Sequence, residues 1–170
     1  MKRNNIIILL LALLSSSDLY AQLTFKTVKG TKANYSISIP SDYTLAKIIG
    51  GNIDIKYSNS EGASINTVVK NLPGEVSDND IEQMNIQSDA EFVNQLESNG
   101  LENVTVIKRG MKIVNGINSC FAYYKDAELY YHTIMQFRKG KLILLTFTCE
   151  YSKKGLYMPI IFRVVNSLKT

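Results

Sequence analysis

Residues 104–151 read VTVIKRGMKIVNGINSCFAYYKDAELYYHTIMQFRKGKLILLTFTCEY. Asn115-Gly116 separates Val104–Val114 from Ile117–Lys125 and is the strongest short-range hairpin signal, because both central residues of a two-residue turn need positive φ. Two further β-rich runs, Tyr130–Phe137 and Leu142–Tyr151, follow across the short connections 126–129 and 138–141. The stretch therefore predicts a four-stranded antiparallel meander. The Asn115-Gly116 turn sets Cys120 opposite Met111; across its other edge Cys120 faces about Met135, and Cys149 faces Tyr130 or Tyr131. The two cysteines then lie two strands apart. Adjacent strands are about 4.8 Å apart, so that separation exceeds the roughly 4.4 to 6.8 Å Cα distance of a disulfide. Two buried free thiols are expected.

Upstream, Tyr35, Ile37 and Ile39 alternate with Asn34, Ser36 and Ser38 up to Pro40, the period-2 pattern of a half-buried strand. Ile53, Ile55 and Tyr57 repeat it, as do Ala63, Ile65 and Thr67, and Leu23–Val28 predicts a shorter strand. Pro73-Gly74 ends the run. Ser88-Asp89-Ala90-Glu91 then has capping-box spacing, with Phe92, Val93 and Leu96 as the apolar stripe of a helix closed by Asn99-Gly100. Residues 77–85 predict a short turn with Ile81 and Met84 inward. A last helix is expected to begin near Pro159, with Ile161, Val164, Val165 and Leu168 as its stripe. No repeat, low-complexity tract or linker divides the chain.

Strands, an inserted helix, a meander and a closing helix predict an α+β fold, an antiparallel β-sheet covered by helices. Tyr35-Ser36-Ile37-Ser38-Ile39-Pro40-Ser41-Asp42-Tyr43, the Asn115-Gly116 hairpin and Val165-Asn166-Ser167-Leu168 resemble the PsbP-like domains over residues 33–169. That resemblance implies the α/β/α sandwich those domains share with Mog-type Ran-binding proteins and with small exported bacterial proteins of unassigned role. It also implies an accessory or binding role, since the family includes a photosystem subunit and a GTPase partner. No catalytic motif of the family maps onto this chain.

Lys2-Arg3, the apolar run Ile6–Leu14 and the small or polar residues 15–21 have the order of a secretory signal peptide cleaved after Ala21. The apolar run is half the length of a membrane span. The expected product is a single domain, residues 22–170, that is periplasmic or secreted, without a transmembrane helix. It is expected not to be lipid-anchored, because Gln22 and not a cysteine stands immediately after the cleavage site, the first cysteine being Cys120. It keeps 17 basic and 14 acidic residues. Their distribution is uneven. Residues 71–107 hold eight acids and no Lys or Arg, so a net charge of about +3 hides a segment at −8 and a remainder at +11.

The composition restricts the chemistry. With 2 Cys and 1 His there is no Cys/His zinc cluster, and any nucleophile–histidine pair must use His132, for which no Gly-x-Ser-x-Gly elbow is present. Asp78, Asn79, Asp80 and Glu82 fail the calcium-loop pattern, with Gln83 at the sixth position and Asp89 at the twelfth. Neither metal nor cofactor is expected. Lys112, Arg138, Lys139 and Lys141 fall at one end of the meander, and Lys108, Arg109, Lys125, Lys153 and Lys154 at the other. Two separated basic rims do not make the contiguous stripe that nucleic acid needs. Six of nine remaining tyrosines lie between residues 123 and 157, and tyrosine joins apolar area to a polar tip suited to recognition. The expectation is a non-catalytic binding protein for a protein or small ligand of the cell envelope, with Tyr123, Tyr131, Arg138, Lys139 and Lys141 as candidate contacts. The alternative is a small periplasmic hydrolase using His132.

Overall fold

The computed structural model describes residues 23–48 and 50–170; the signal-peptide assignment to residues 1–21 lies outside them. Strands β1 (Phe25–Lys29) and β2 (Ser36–Pro40) form a separate antiparallel hairpin. β3 (Thr44–Leu45), β4 (Ile53–Ser58) and β5 (Ser64–Asn71) lead into helices α1 (Asp78–Ile86) and α2 (Asp89–Ser98). The meander follows as β6 (Thr105–Val114), β7 (Ile117–Lys125), β8 (Leu129–Arg138) and β9 (Lys141–Glu150). A 3-10 turn, Tyr151–Lys153, opens into α3 (Lys154–Asn166). The large sheet has seven strands in the order β3-β4-β5-β9-β8-β7-β6.

The meander register is the one its short connections predict. Met111 pairs with Cys120, Cys120 with Met135, and Tyr130 with Cys149. Alternation then assigns the faces. Phe121, Tyr123, Tyr130, His132, Ile134, Gln136, Ile143, Leu145 and Phe147 share the face that packs under α3 and the β1–β2 hairpin, and the largest buried cluster lies there. Cys120, Ala122, Tyr124, Tyr131, Thr133 and Met135 share the opposite face, whose β6–β7 half lies under α1 and α2. Cys120 and Cys149, both buried free thiols, therefore point to opposite sides of the sheet as well as lying two strands apart.

Three elements differ from expectation. Residues 77–85 form a true helix, because Ser77 and Asp80 build a second capping box beside that of Ser88 and Glu91. Ile81 of α1 is buried, but Met84 stays 42% exposed. α3 begins at Lys154 and carries Pro159 inside it. The hydrogen bond lost at Pro159 is offset by Tyr157, Ile160, Ile161, Val164 and Val165, all buried.

β4 departs from even alternation at Asp54, where a register shift separates Ile53 from Ile55. The bulge turns Asp54 toward the β1–β2 hairpin. Its carboxylate accepts the Thr31 and Lys32 backbone amides, at 3.0 and 3.1 Å, the Thr31 hydroxyl and the Tyr35 hydroxyl at 2.8 Å. Burial pushes the Asp54 pKa up, and these hydrogen bonds outweigh it and hold the carboxyl below its ordinary range. The hairpin that covers the core is thereby pinned to the sheet edge.

Candidate functional site

The candidate tyrosines belong to opposite faces. Tyr123 is half-buried on the α3 face, with its ring 3.9 Å from that of His132 and 4.9 Å from Phe121. Tyr131 lies on the other face, stacked at 4.8 Å on Tyr124, and its hydroxyl donates to Asp126 at 2.7 Å. Burial and then Asp126 push the Tyr131 hydroxyl pKa up. Both rings are packed against neighbours within the fold. At the far end of β8, the structure brings Arg138, Lys139 and Lys141 together around one turn and leaves the two tyrosines apart from them.

His132 is fully buried. Besides Tyr123, its ring has Tyr130 and Phe162 edge-on at 6.4 and 6.1 Å, and neither ring nitrogen has a hydrogen-bond partner among the described residues. Burial, with a smaller contribution from the Lys112 charge, drives its pKa down to about 3. General base catalysis needs a nitrogen within hydrogen-bond reach of a substrate proton. A ring sealed between aromatic side chains offers none. Among the described residues, no group of three or more His, Cys, Asp or Glu side chains is placed to hold a metal ion.

The charged end is better organised. The β8–β9 turn, the Asn71 end of β5 and the start of β4 meet there, since Arg138 and Asn71 both lie beside Lys141 in the sheet. A depression of about 220 Å³ is lined by Ala33, Asn34, Arg138, Lys139, Lys141, Ile143 and Thr170. Through Lys141 it adjoins an open trough with Lys32 and Lys70, and through Asn34 and Thr170 a second hollow with Lys29 and Lys169. Seven cationic side chains line these three concavities and no Asp or Glu side chain does. Lys141 donates to the Lys32 carbonyl, and Lys32 to those of Gly51 and Ile53. These bonds fix the lysines without neutralising them.

The opposite end differs from the second basic rim that the sequence suggests. Lys153 pairs with Glu150 at 3.1 Å, and Asp126, Glu128 and Glu102 line a hollow beside Tyr131. Arg109 points away, under α2, where it contacts Asp89 at 2.6 Å and covers the Phe92 ring. The loops 100–103 and 126–129, distant in sequence, bring Glu102, Asp126 and Glu128 together at this end.

A sheet of this order with helices on both faces can be compared with known folds. The structure matches cyanobacterial PsbP (CyanoP) of Synechocystis sp. PCC 6803 with a TM-score of 0.68 over 87% of this chain and 93% of that one, at 14% identity. The fold is PsbP-like. LpqN of Mycobacterium tuberculosis, described as involved in cell envelope biogenesis, also matches, with a TM-score of 0.54, 11% identity and coverage of 87% and 91%. No family model matches the chain, and no curated protein does. The PsbP-like architecture explains how the site is positioned: the meander carries the Arg138–Lys141 turn, and the hairpin that covers the core supplies Lys29, Lys32 and Asn34 beside it.

Proposed function

We propose that this protein is an exported, non-catalytic accessory domain, residues 22–170 after removal of a signal peptide, that docks an anionic partner of the cell envelope on its basic end. Arg138, Lys139 and Lys141 form the centre of that surface. The observation that carries the reading is the row of seven cationic side chains lining contiguous concavities with no Asp or Glu side chain among them. Like charges held together destabilise the fold by self-repulsion, so a surface of this kind has its favourable use in binding the opposite charge. The PsbP-like fold, shared with an envelope-biogenesis protein, supports a binding role. No helix among the described residues is long and apolar enough to cross a membrane.

Crosslinking in the native envelope tests the proposal. Simultaneous Arg138→Glu, Lys139→Glu and Lys141→Glu changes should abolish adducts formed by the parent protein, while Lys125→Glu at the far end should retain them. Equal adduct yield from all three proteins would refute docking at the basic end. N-terminal sequencing of the exported protein should begin at Gln22.

A further inference from the structure

Two turns at the same end of the sheet have the same geometry and different residues. Asn115 and Gly116 have φ of 50° and 80°, and Lys139 and Gly140 have φ of 50° and 67°. Both are two-residue turns with positive φ at each position, and asparagine is several-fold enriched in that conformation over residues such as lysine. Asn115 is used by the fold, its amide donating to the carbonyls of Asn166 at 2.9 Å and Leu168 at 2.7 Å. Lys139 is exposed, and its side chain makes no hydrogen bond or ion pair among the described residues. A strained position held by a residue that does nothing for the fold points to a role outside it.

That lysine lines the 220 Å³ depression with Arg138 and Lys141. Its floor includes Ala33 and the buried Ile143. Thr170 lines it too, and the Thr170 hydroxyl is buried without a hydrogen-bond partner among the described residues. The space equals that of about seven water molecules, below the usual size of a drug-sized ligand site.

We infer that this depression binds a phosphate ester carried on a short carbon unit. A phosphate monoester offers three terminal oxygens and nearly two negative charges, which suits three cations and a free hydroxyl acting as separate donors. A carboxylate offers two oxygens and one charge, and a single guanidinium satisfies it. The apolar floor accommodates the carbon unit. This inference rests on the proposed docking surface and names the chemistry recognised at its centre.

Isothermal titration calorimetry with glycerol 3-phosphate, phosphatidylcholine vesicles containing the monoester lipid phosphatidic acid, and succinate, together with melting temperatures, tests it. Lys139→Asn is the decisive variant, because it keeps the turn, relieves the strain and removes the charge. We expect glycerol 3-phosphate or the vesicles to bind saturably, and Lys139→Asn to weaken that binding tenfold or more while raising Tm by about 2 °C. Lys125→Asn should change neither. Saturation by the soluble ester assigns a free phosphate ester, and saturation by vesicles alone assigns a lipid headgroup; both support the site. Binding unchanged in Lys139→Asn, succinate binding as tightly as glycerol 3-phosphate, or no saturable binding to either phosphate probe overturns the phosphate site. Each of these leaves the docking surface standing if the triple charge reversal still abolishes crosslinking.

Discussion

Replacing His132 with leucine should remove a large acid sensitivity from the fold. The folded-state pKa is about 3, against about 6.5 in the unfolded chain. Between these values the unfolded state binds a proton that the native state refuses, so unfolding free energy rises with pH there. The contribution is complete above about pH 6.5 and is lost as pH falls, by about 1.4 kcal/mol per unit. From pH 6.5 to pH 4.5 that is about 3 kcal/mol, and at typical urea m-values it lowers the midpoint by about 1 to 2 M. Leucine has a similar volume and no ring nitrogens to leave unpartnered. It gives up the aromatic contacts, worth about 0.5 to 1.5 kcal/mol each, and relieves the burial of two unpaired polar atoms at about 1 to 3 kcal/mol each. His132→Leu should therefore match or exceed the parent at pH 7 and exceed it by about 3 kcal/mol at pH 4.5. With no Trp in the chain, urea unfolding is best followed by far-UV circular dichroism. Parallel slopes of stability against pH for the two proteins would sink the reasoning, because they would mean that His132 is protonated alike in both states.

Asp54→Asn should destabilise the protein by about 2 to 4 kcal/mol, since an amide oxygen accepts the Thr31, Lys32 and Tyr35 donors more weakly and leaves some unpaired. The Asp54 pKa is lowered on folding, so its contribution is present above about pH 4 and lost as pH falls through the folded value. Hydrogen exchange of the Thr31 and Lys32 amides in the variant reads this directly; unchanged protection would contradict it. Both thiols should resist alkylation in the native protein at pH 8, with burial and then the Glu150 charge raising the Cys149 pKa to about 11 and burial raising that of Cys120. Two labels should add on denaturation without reductant, and a mass showing none would contradict the register.

How far the sequence carried depended on whether the signal was local. The Asn115-Gly116 turn and the Ser88–Glu91 capping box are written within four residues each, and both stand in the structure where the chain spells them. The Asn115-Gly116 turn placed Cys120 against Met111, and the short 126–129 connection placed it against Met135. The Asp54 bulge was not legible, because its reason lies in Thr31, Lys32 and Tyr35, about twenty residues away. The same limit applies to the site. Arg138, Lys139 and Lys141 are contiguous and could be grouped by inspection, whereas Lys29, Lys32 and Lys169 join them only through the hairpin and the last residues of the chain. Tyr123 and Tyr131 are close in sequence but lie on different strands, and cross-strand register puts them on opposite faces.

The overall net charge hides the charge found at each end of the sheet, and the fold shows why. The acidic insert packs over the β6–β7 half of the sheet, but a single ion pair, Asp89 with Arg109, joins it to the body among the described residues. The basic turn at Arg138 and the acidic turn at Asp126 lie at opposite ends of β8, a strand of 10 residues. At about 3.3 Å per residue they are about 30 Å apart. That is roughly four Debye lengths at physiological ionic strength, so the carboxylates of the far end do not screen the lysines of the near one. A partner approaching the Lys139 turn meets a local charge far above the chain's overall balance. Association at this end should accordingly slow steeply as salt is raised, while the triple reversal flattens that dependence. An on-rate that ignores ionic strength would mean that the lysines are not the surface the partner meets.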